Sequence, residues 1–147
     1  MRVTIPSMAG AKSFTSAVRI EIRTSRRVEL KPITSQVSQI LRESQLSNGL
    51  CLIYVPHTTA GVTINENADP DVAADLEETL ARMVPAKGAY RHREGNADAH
   101  VKASLVGSSV TVLVQDGELI LGTWQGVFFC EFDGPRSRSV YVKLIEG

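Results

Sequence analysis

The stretch Val110-Thr-Val-Leu-Val-Gln-Asp-Gly-Glu-Leu-Ile-Leu121 decides the fold. Val110, Val112 and Val114 alternate with Thr111, Leu113 and Gln115, the period of a half-buried strand. Asp116-Gly117 follows as a two-residue turn, and Glu118–Leu121 reads as the returning strand. Downstream, Val127–Phe132 is a further apolar strand. Asp133-Gly-Pro135 turns the chain into Ser139-Val-Tyr-Val-Lys-Leu-Ile145. The C-terminal third therefore reads as a β meander.

Upstream the pattern mixes strands with helices. Residues 1–12 read as a flexible N-terminal arm, followed by a single domain over 13–147. From Ser13, Phe14, Val18, Ile20 and Ile22 share one parity and Thr15, Arg19, Glu21 and Arg23 the other, predicting a strand. Val28-Glu-Leu30 predicts a short second strand before Pro32. Thr34 or Ser35 can cap a helix running to about Leu46, with Val37, Ile40, Leu41 and Ser44 on one face and Asn48-Gly49 as its stop. The continuous apolar run Leu50–Val55 predicts a strand covered on both faces, and Gly61–Asn65 a second extended piece. Asp69-Pro-Asp71 is the clearest helix start: Asp69 caps, Pro70 suits the first turn and Asp71 favours the positive dipole end. Ala73, Leu76, Leu80 and Met83 form its apolar stripe until Pro85. Residues 85–99 read as a polar loop, and Ala97–Leu105 as a short helix bearing His100. Strands and helices in this order indicate an α+β fold with mainly antiparallel sheets.

The 147 residues carry 16 basic and 16 acidic side chains, a formal net charge of zero. Such a balance argues against nucleic-acid or membrane-surface binding, which needs a basic excess. No segment has the length of a membrane span or the apolar stretch of a signal peptide, so a cytoplasmic protein is expected. Cys51 and Cys130 sit in apolar runs and read as reduced, buried thiols.

The chemistry-bearing residues are concentrated. All three histidines lie in two polar segments, His57-Thr-Thr-Ala-Gly61 and Arg91-His-Arg-Glu-Gly-Asn-Ala-Asp-Ala-His100. His57 follows Pro56 at a strand end, with the hydroxyls of Thr58 and Thr59 beside it and Gly61 permitting close backbone approach. The simpler alternative is a turn histidine that hydrogen-bonds a backbone group. His92 and His100 match no standard zinc spacing. Brought together, three imidazoles would suit either a divalent ion or acid–base work near neutral pH. Asn65 and Glu66 lie between a strand and a helix, close to His57 in sequence. Asp69, Asp71, Glu77 and Glu78 have ordinary roles at a helix start or solvent face. Arg136, after Gly-Pro, suits a phosphate or carboxylate. Trp124 and Gln125 suggest a lined pocket, although Trp124 serves equally well in a core. The nucleotide-loop, dinucleotide and nucleophile-elbow signatures are missing.

Four ordered motifs carry a resemblance. They are His57-Thr-Thr-Ala-Gly-Val-Thr-Ile-Asn-Glu-Asn-Ala-Asp-Pro-Asp71, Glu94-Gly-Asn-Ala-Asp-Ala-His-Val-Lys-Ala-Ser-Leu105, Gly122-Thr-Trp-Gln-Gly126 and Glu131-Phe-Asp-Gly-Pro-Arg136. Together they resemble the YjbQ-like family. The resemblance implies strands in two packed sheets with two main helices beside them, and a homotrimer with sites near subunit boundaries. Some members are labelled secondary thiamine-phosphate synthases, which join a pyrimidine diphosphate to a thiazole phosphate and release pyrophosphate. Carried over, that likeness implies a site lined by His57, His92 and His100, with Glu66 orienting or accepting a proton. Thr58, Thr59, Asn65, Lys102, Gln125 and Arg136 would hold a small phosphorylated ligand, and a divalent ion such as Mg or Zn on the three histidines would bridge a diphosphate. A metal-dependent hydrolase of another small anion and a non-catalytic trimeric binding module are the alternatives.

Overall fold

The computed structural model describes residues 16–147. The expected 1–12 arm and the start of the first strand, with Phe14 and Thr15, lie outside them. The elements run β1 (Val18–Arg23), β2 (Glu29–Pro32), α1 (Thr34–Ser44), β3 (Gly49–Tyr54), β4 (Ala60–Glu66), α2 (Pro70–Met83), α3 (Ala97–Val106), β5 (Ser109–Gln115), β6 (Glu118–Leu119), β7 (Gln125–Glu131) and β8 (Ser137–Glu146). They form a five-stranded sheet, β1-β8-β3-β5-β6, and a three-stranded sheet, β2-β7-β4. All the strand pairings are antiparallel. The fold is α+β, as expected, with a third, shorter helix beside the two main ones.

The meander expected at the C-terminus is not one. β5 and β6 form the Asp116-Gly117 hairpin, both turn residues having positive φ (52° and 78°). The chain then crosses to the other sheet, where β7 lies between β2 and β4, before β8 returns between β1 and β3. Composition drives this crossing. Val127-Phe-Phe-Cys130 is apolar at every position and is buried on both faces, which a strand between two packed layers requires. One β7 face, with Val127 and Phe129, joins the main core of Ile20, Ile22, Cys51, Ile53, Val112, Val140 and Val142. Its other face, with Phe128 and Cys130, packs on Ala99 and Ala103 of α3 and on Ala73, Leu76 and Leu80 of α2. The layers are thus sheet, sheet, helices.

β3 behaves oppositely to expectation. Cys51 and Ile53 are buried, but Leu50 and Tyr54 remain 38% and 46% exposed. Among the described residues nothing covers that face. Leu113 and Ile145 on the neighbouring strands share the exposure.

α1 buries Val37, Ile40, Leu41 and Ser44, the expected face. Its first residue is Thr34, whose hydroxyl accepts from Val127 N instead of capping the helix. It also stops earlier than Asn48-Gly49 would dictate. Gln45 turns left-handed (φ 60°) while the Ser44 hydroxyl donates to Leu41 O and accepts from Leu46 N. α2 begins as read, Asp69 Oδ1 accepting from Asp71 N at 2.9 Å. Met83, expected in its stripe, is 66% exposed, and Trp124 is exposed rather than in the core. Both cysteines are free and buried, and burial pushes each thiol up to about 12. No helix among the described residues is long and apolar enough to cross a membrane.

Candidate functional site

Strand register gathers the polar motifs at one end of the molecule. β3 ends at Tyr54 opposite Ser109 and Tyr141, β7 ends at Glu131 opposite Ala60, and β1 ends at Arg23 opposite Ser137. The loops leaving these strands therefore meet. Continuing the β3–β8 register would set Pro56 against Ser139, where the chain instead turns away. The Ser139 N–H, left without a strand partner there, donates to His57 Nε2 at 2.9 Å. The simpler expectation for this histidine, a hydrogen bond to a backbone group, is met.

α3 reaches the same end because of Gly61. A Cβ on Gly61 would lie 2.5 Å from Gly107 O. Without one, Val62 N donates to that carbonyl at 3.1 Å and the helix terminus docks on β4. Docking leaves an open cleft of about 490 Å³ lined by His57, Thr58, His100, Ser104 and Ser108, floored by Ala60, Ala103 and Gly107. His100 faces the cleft on one side and meets the His92 ring edge-on on the other, centroids 5.2 Å apart. His92 is half-exposed, 3.6 Å from a Glu94 carboxylate oxygen.

Behind the cleft lies a buried ion network. Glu131 is fully buried, and Arg138 is 6% exposed. Arg138 Nε donates to Glu131 Oε1 at 2.9 Å, and its Nη2 donates to Glu131 Oε2 and to Thr59 Oγ1. Glu131 also accepts from the Thr24 hydroxyl and from Phe132 N and Asp133 N. Every oxygen of the carboxylate is thus satisfied, the condition for an ion pair to persist without water. Thr59 is held twice more, its carbonyl accepting from Phe132 N and from Arg138. The His57–Thr59 segment is therefore clamped from β7 and β8. Burial pushes the His57 imidazole below its usual range, and the Arg138 guanidinium adds to that push against the opposing Glu131 charge.

A second network sits at the start of α3. Asp98, fully buried, takes both guanidinium nitrogens of Arg27 (3.1 and 2.8 Å) and the Lys102 ammonium at 2.8 Å. Burial alone would raise the Asp98 carboxyl, but the two cations outweigh it and hold it below the usual carboxylate range. Asn96 Nδ2 donates to Asp133, which also accepts from the half-exposed Arg136. Asn96 Oδ1 is buried without a partner among the described residues.

The structure thus brings His57, Thr58 and His100 together at the cleft, with His92 against His100. Thr59, 6% exposed with its hydroxyl accepting from Arg138, and Arg136, paired with Asp133, do not line it. Lys102 does not line the cleft: at 2% exposure its ammonium is committed to Asp98. Asn65, Glu66 and Gln125 lie elsewhere. Glu66 pairs with Gln125 at the far end of β4, roughly 20 Å of strand from Ala60. Within one chain, then, Glu66 cannot orient the His57 ring. The three histidines do not form a closed ligand set either. Among the described residues no three histidine, cysteine or acidic side chains are grouped to hold a metal, and His57 already presents Nε2 to an N–H donor.

Sequence reading missed Arg138, Glu131, Asp98 and Arg27. A signal for Arg138 exists: it is in phase with Val140, Val142 and Leu144, all inward on β8. A cation at an inward position demands a buried anion, and Glu131 closes the apolar run of β7.

Fold and cleft together define an α+β double-sheet protein with a two-histidine polar cleft at one end. The chain belongs to the UPF0047 protein YjbQ-like family, whose profile matches residues 18–147. It is 52% identical over 127 residues to a UPF0047 protein of Methanocaldococcus jannaschii, covering 86% of this chain and 92% of that one. It is 51% identical to the UPF0047 protein YugU of Bacillus subtilis, covering 86% and 96%. A crystal structure of a YjbQ/UPF0047 protein from Clostridium acetobutylicum matches at TM-score 0.86 and 49% identity, covering 87% and 99%. A YbjQ-like protein of unknown function from Sulfolobus solfataricus matches at TM-score 0.86 and 34% identity, covering 90% and 97%. The family is uncharacterised.

Proposed function

We propose that this protein is an enzyme acting on a small phosphorylated substrate in the cleft between His57 and His100. One observation carries the reading: two imidazoles from separate segments line a single polar cleft, although the chain has only three histidines. Imidazoles give and take protons near neutral pH. The hydroxyls of Thr58 and Ser108 supply donors for phosphate oxygens, and the partly exposed guanidinium of Arg136, paired with Asp133, is the cation we assign to the ligand. The specific form we put forward is thiamine-phosphate synthase-like transfer, joining a pyrimidine diphosphate to a thiazole phosphate. Stabilising the departing diphosphate is the main task of such a site.

Incubating purified protein with both precursors tests this directly. Thiamine phosphate should form at a rate that falls about 100-fold or more in His57→Ala and His100→Ala, the scale of general acid–base contributions. Equal rates in wild type and both variants would reject the transferase.

A metal-dependent hydrolase is the second reading, favoured by the His92–His100 contact. Two imidazoles on one tetrahedral ion have centroids about 5 Å apart, given zinc–nitrogen bonds of roughly 2.0–2.1 Å, and these lie at 5.2 Å. Stoichiometric zinc lost in His92→Ala and His100→Ala would support it.

We further propose a homotrimer, with the face of the five-stranded sheet left open by the described residues as its contact surface. Leu50, Tyr54, Leu113 and Ile145 make an apolar patch that water disfavours. Two reduced, buried thiols are in keeping with a cytoplasmic setting.

A further inference from the structure

We infer that His57 is locked in one neutral tautomer, with the proton on Nδ1, and that this N–H donates to an anionic oxygen of the cleft's ligand. The inference rests on the cleft being the binding site, and it assigns His57 a donor's role there rather than that of a base or metal ligand.

The argument starts from the neighbour of Nε2. A backbone N–H has no acceptor capacity and cannot turn its hydrogen away. Ser139 N stands 2.9 Å from His57 Nε2, so that nitrogen must offer a lone pair. In a neutral imidazole one nitrogen accepts and the other carries the proton. The proton therefore sits on Nδ1. Rotating the ring by half a turn would set a carbon against the Ser139 N–H, losing the bond with nothing in exchange.

Two features keep the ring from relaxing. Ser139 belongs to β8 and is fixed in register opposite Glu21. The segment following His57 is clamped by Arg138 and Phe132 N on Thr59. The lock is thus built from a strand and a buried ion pair, not from a mobile loop. Nδ1 meanwhile has no hydrogen-bond partner among the described residues, and His57 is only partly buried. The ring itself lines the cleft. An N–H waiting there suits an oxygen of a phosphate or carboxylate.

The same geometry excludes a role. To bind a metal through Nδ1, His57 would have to move its proton to Nε2, against the Ser139 N–H. To bind through Nε2 it would have to displace that N–H. A metal on His92 and His100 requires neither change, so the two roles separate: His57 donates, and His100 is the imidazole left to accept a proton.

Two-bond proton–nitrogen correlation spectra of 15N-labelled protein at neutral pH read the tautomer without any ligand. His57 should show a protonated Nδ1 and a bare, pyridine-like Nε2. A protonated Nε2, or a rapidly averaged mixture of tautomers, would overturn the lock. Titration with inorganic phosphate then tests the donor role, followed at His57, His100 and the amides of Ser104 and Ser108. His57 Nδ1 should shift saturably. Shifts at His100 and the serines without His57 would overturn the donor role yet leave the cleft as a site. No shift anywhere in the cleft would count against both. Two substitutions give an independent comparison. In His57→Gln the amide oxygen reaches the Nε2 position and can still accept from Ser139, but no donor stands at Nδ1. In His57→Asn the amide nitrogen replaces Nδ1. His57→Gln should bind phosphate roughly tenfold more weakly than wild type, the cost of one hydrogen bond to a charged group, and His57→Asn should lose less. Equal losses, or a greater loss in His57→Asn, would contradict the assignment.

Discussion

Arg138 is the residue on which the most local structure depends. It neutralises a fully buried carboxylate and grips the Thr59 backbone beside His57. Removing one member of such a pair leaves the other charged and without solvent. Arg138→Met should therefore destabilise the protein by about 3–5 kcal/mol, measured by urea unfolding. A loss below about 1 kcal/mol would mean that water reaches Glu131 in solution. His57 gives a second residue-scale expectation. Its folded pKa lies below the ordinary value of about 6.5. As pH falls from there, the unfolded chain takes up a proton that the folded chain resists. Stability is therefore fully present above pH about 6.5 and declines as pH falls through the depressed folded value. His57→Gln should flatten that part of the stability–pH curve, and an unchanged slope would remove His57 as its source.

At the scale of elements, the meeting of α3 with β4 makes the cleft, and Gly61 permits it. Gly61→Ala places a methyl 2.5 Å from Gly107 O. Such overpacking costs about 1–3 kcal/mol, and the Val62 amide, which donates to Gly107 O, should exchange faster with deuterium. Unchanged exchange would show that the two elements part without consequence. Much of this level was legible in the sequence. Asp69-Pro70, Asp116-Gly117 and the β8 alternation announced their elements because each follows a local rule of capping, turn geometry or period. What stayed hidden was long-range. Nothing local distinguishes Leu50–Val55, open on one face, from Val127–Phe132, covered on both, since both are apolar runs of similar length. The neighbouring layers decide that, and sequence does not print them. The candidate site divided likewise. His57, Thr58 and His100 were visible as unusual residues, whereas Glu66 looked close to His57 only along the chain, and a strand then carried it to the opposite end.

For the whole molecule, two surfaces have no partner among the described residues. One is the apolar face of the five-stranded sheet. If it joins copies of the chain, Leu113→Lys, at a position 57% exposed, should lower the sedimenting mass toward that of the monomer with little change in the fold. An unaltered mass would rule out that face as the contact. The other is the cleft, the centre of the account. Its most direct test is a titration with pyrophosphate followed by backbone amide shifts over the whole chain. The account predicts saturable shifts confined to Thr58, His100, Ser104, Ser108 and their neighbours. Shifts centred instead on the Glu66–Gln125 end, or no saturable shift at all, would contradict it.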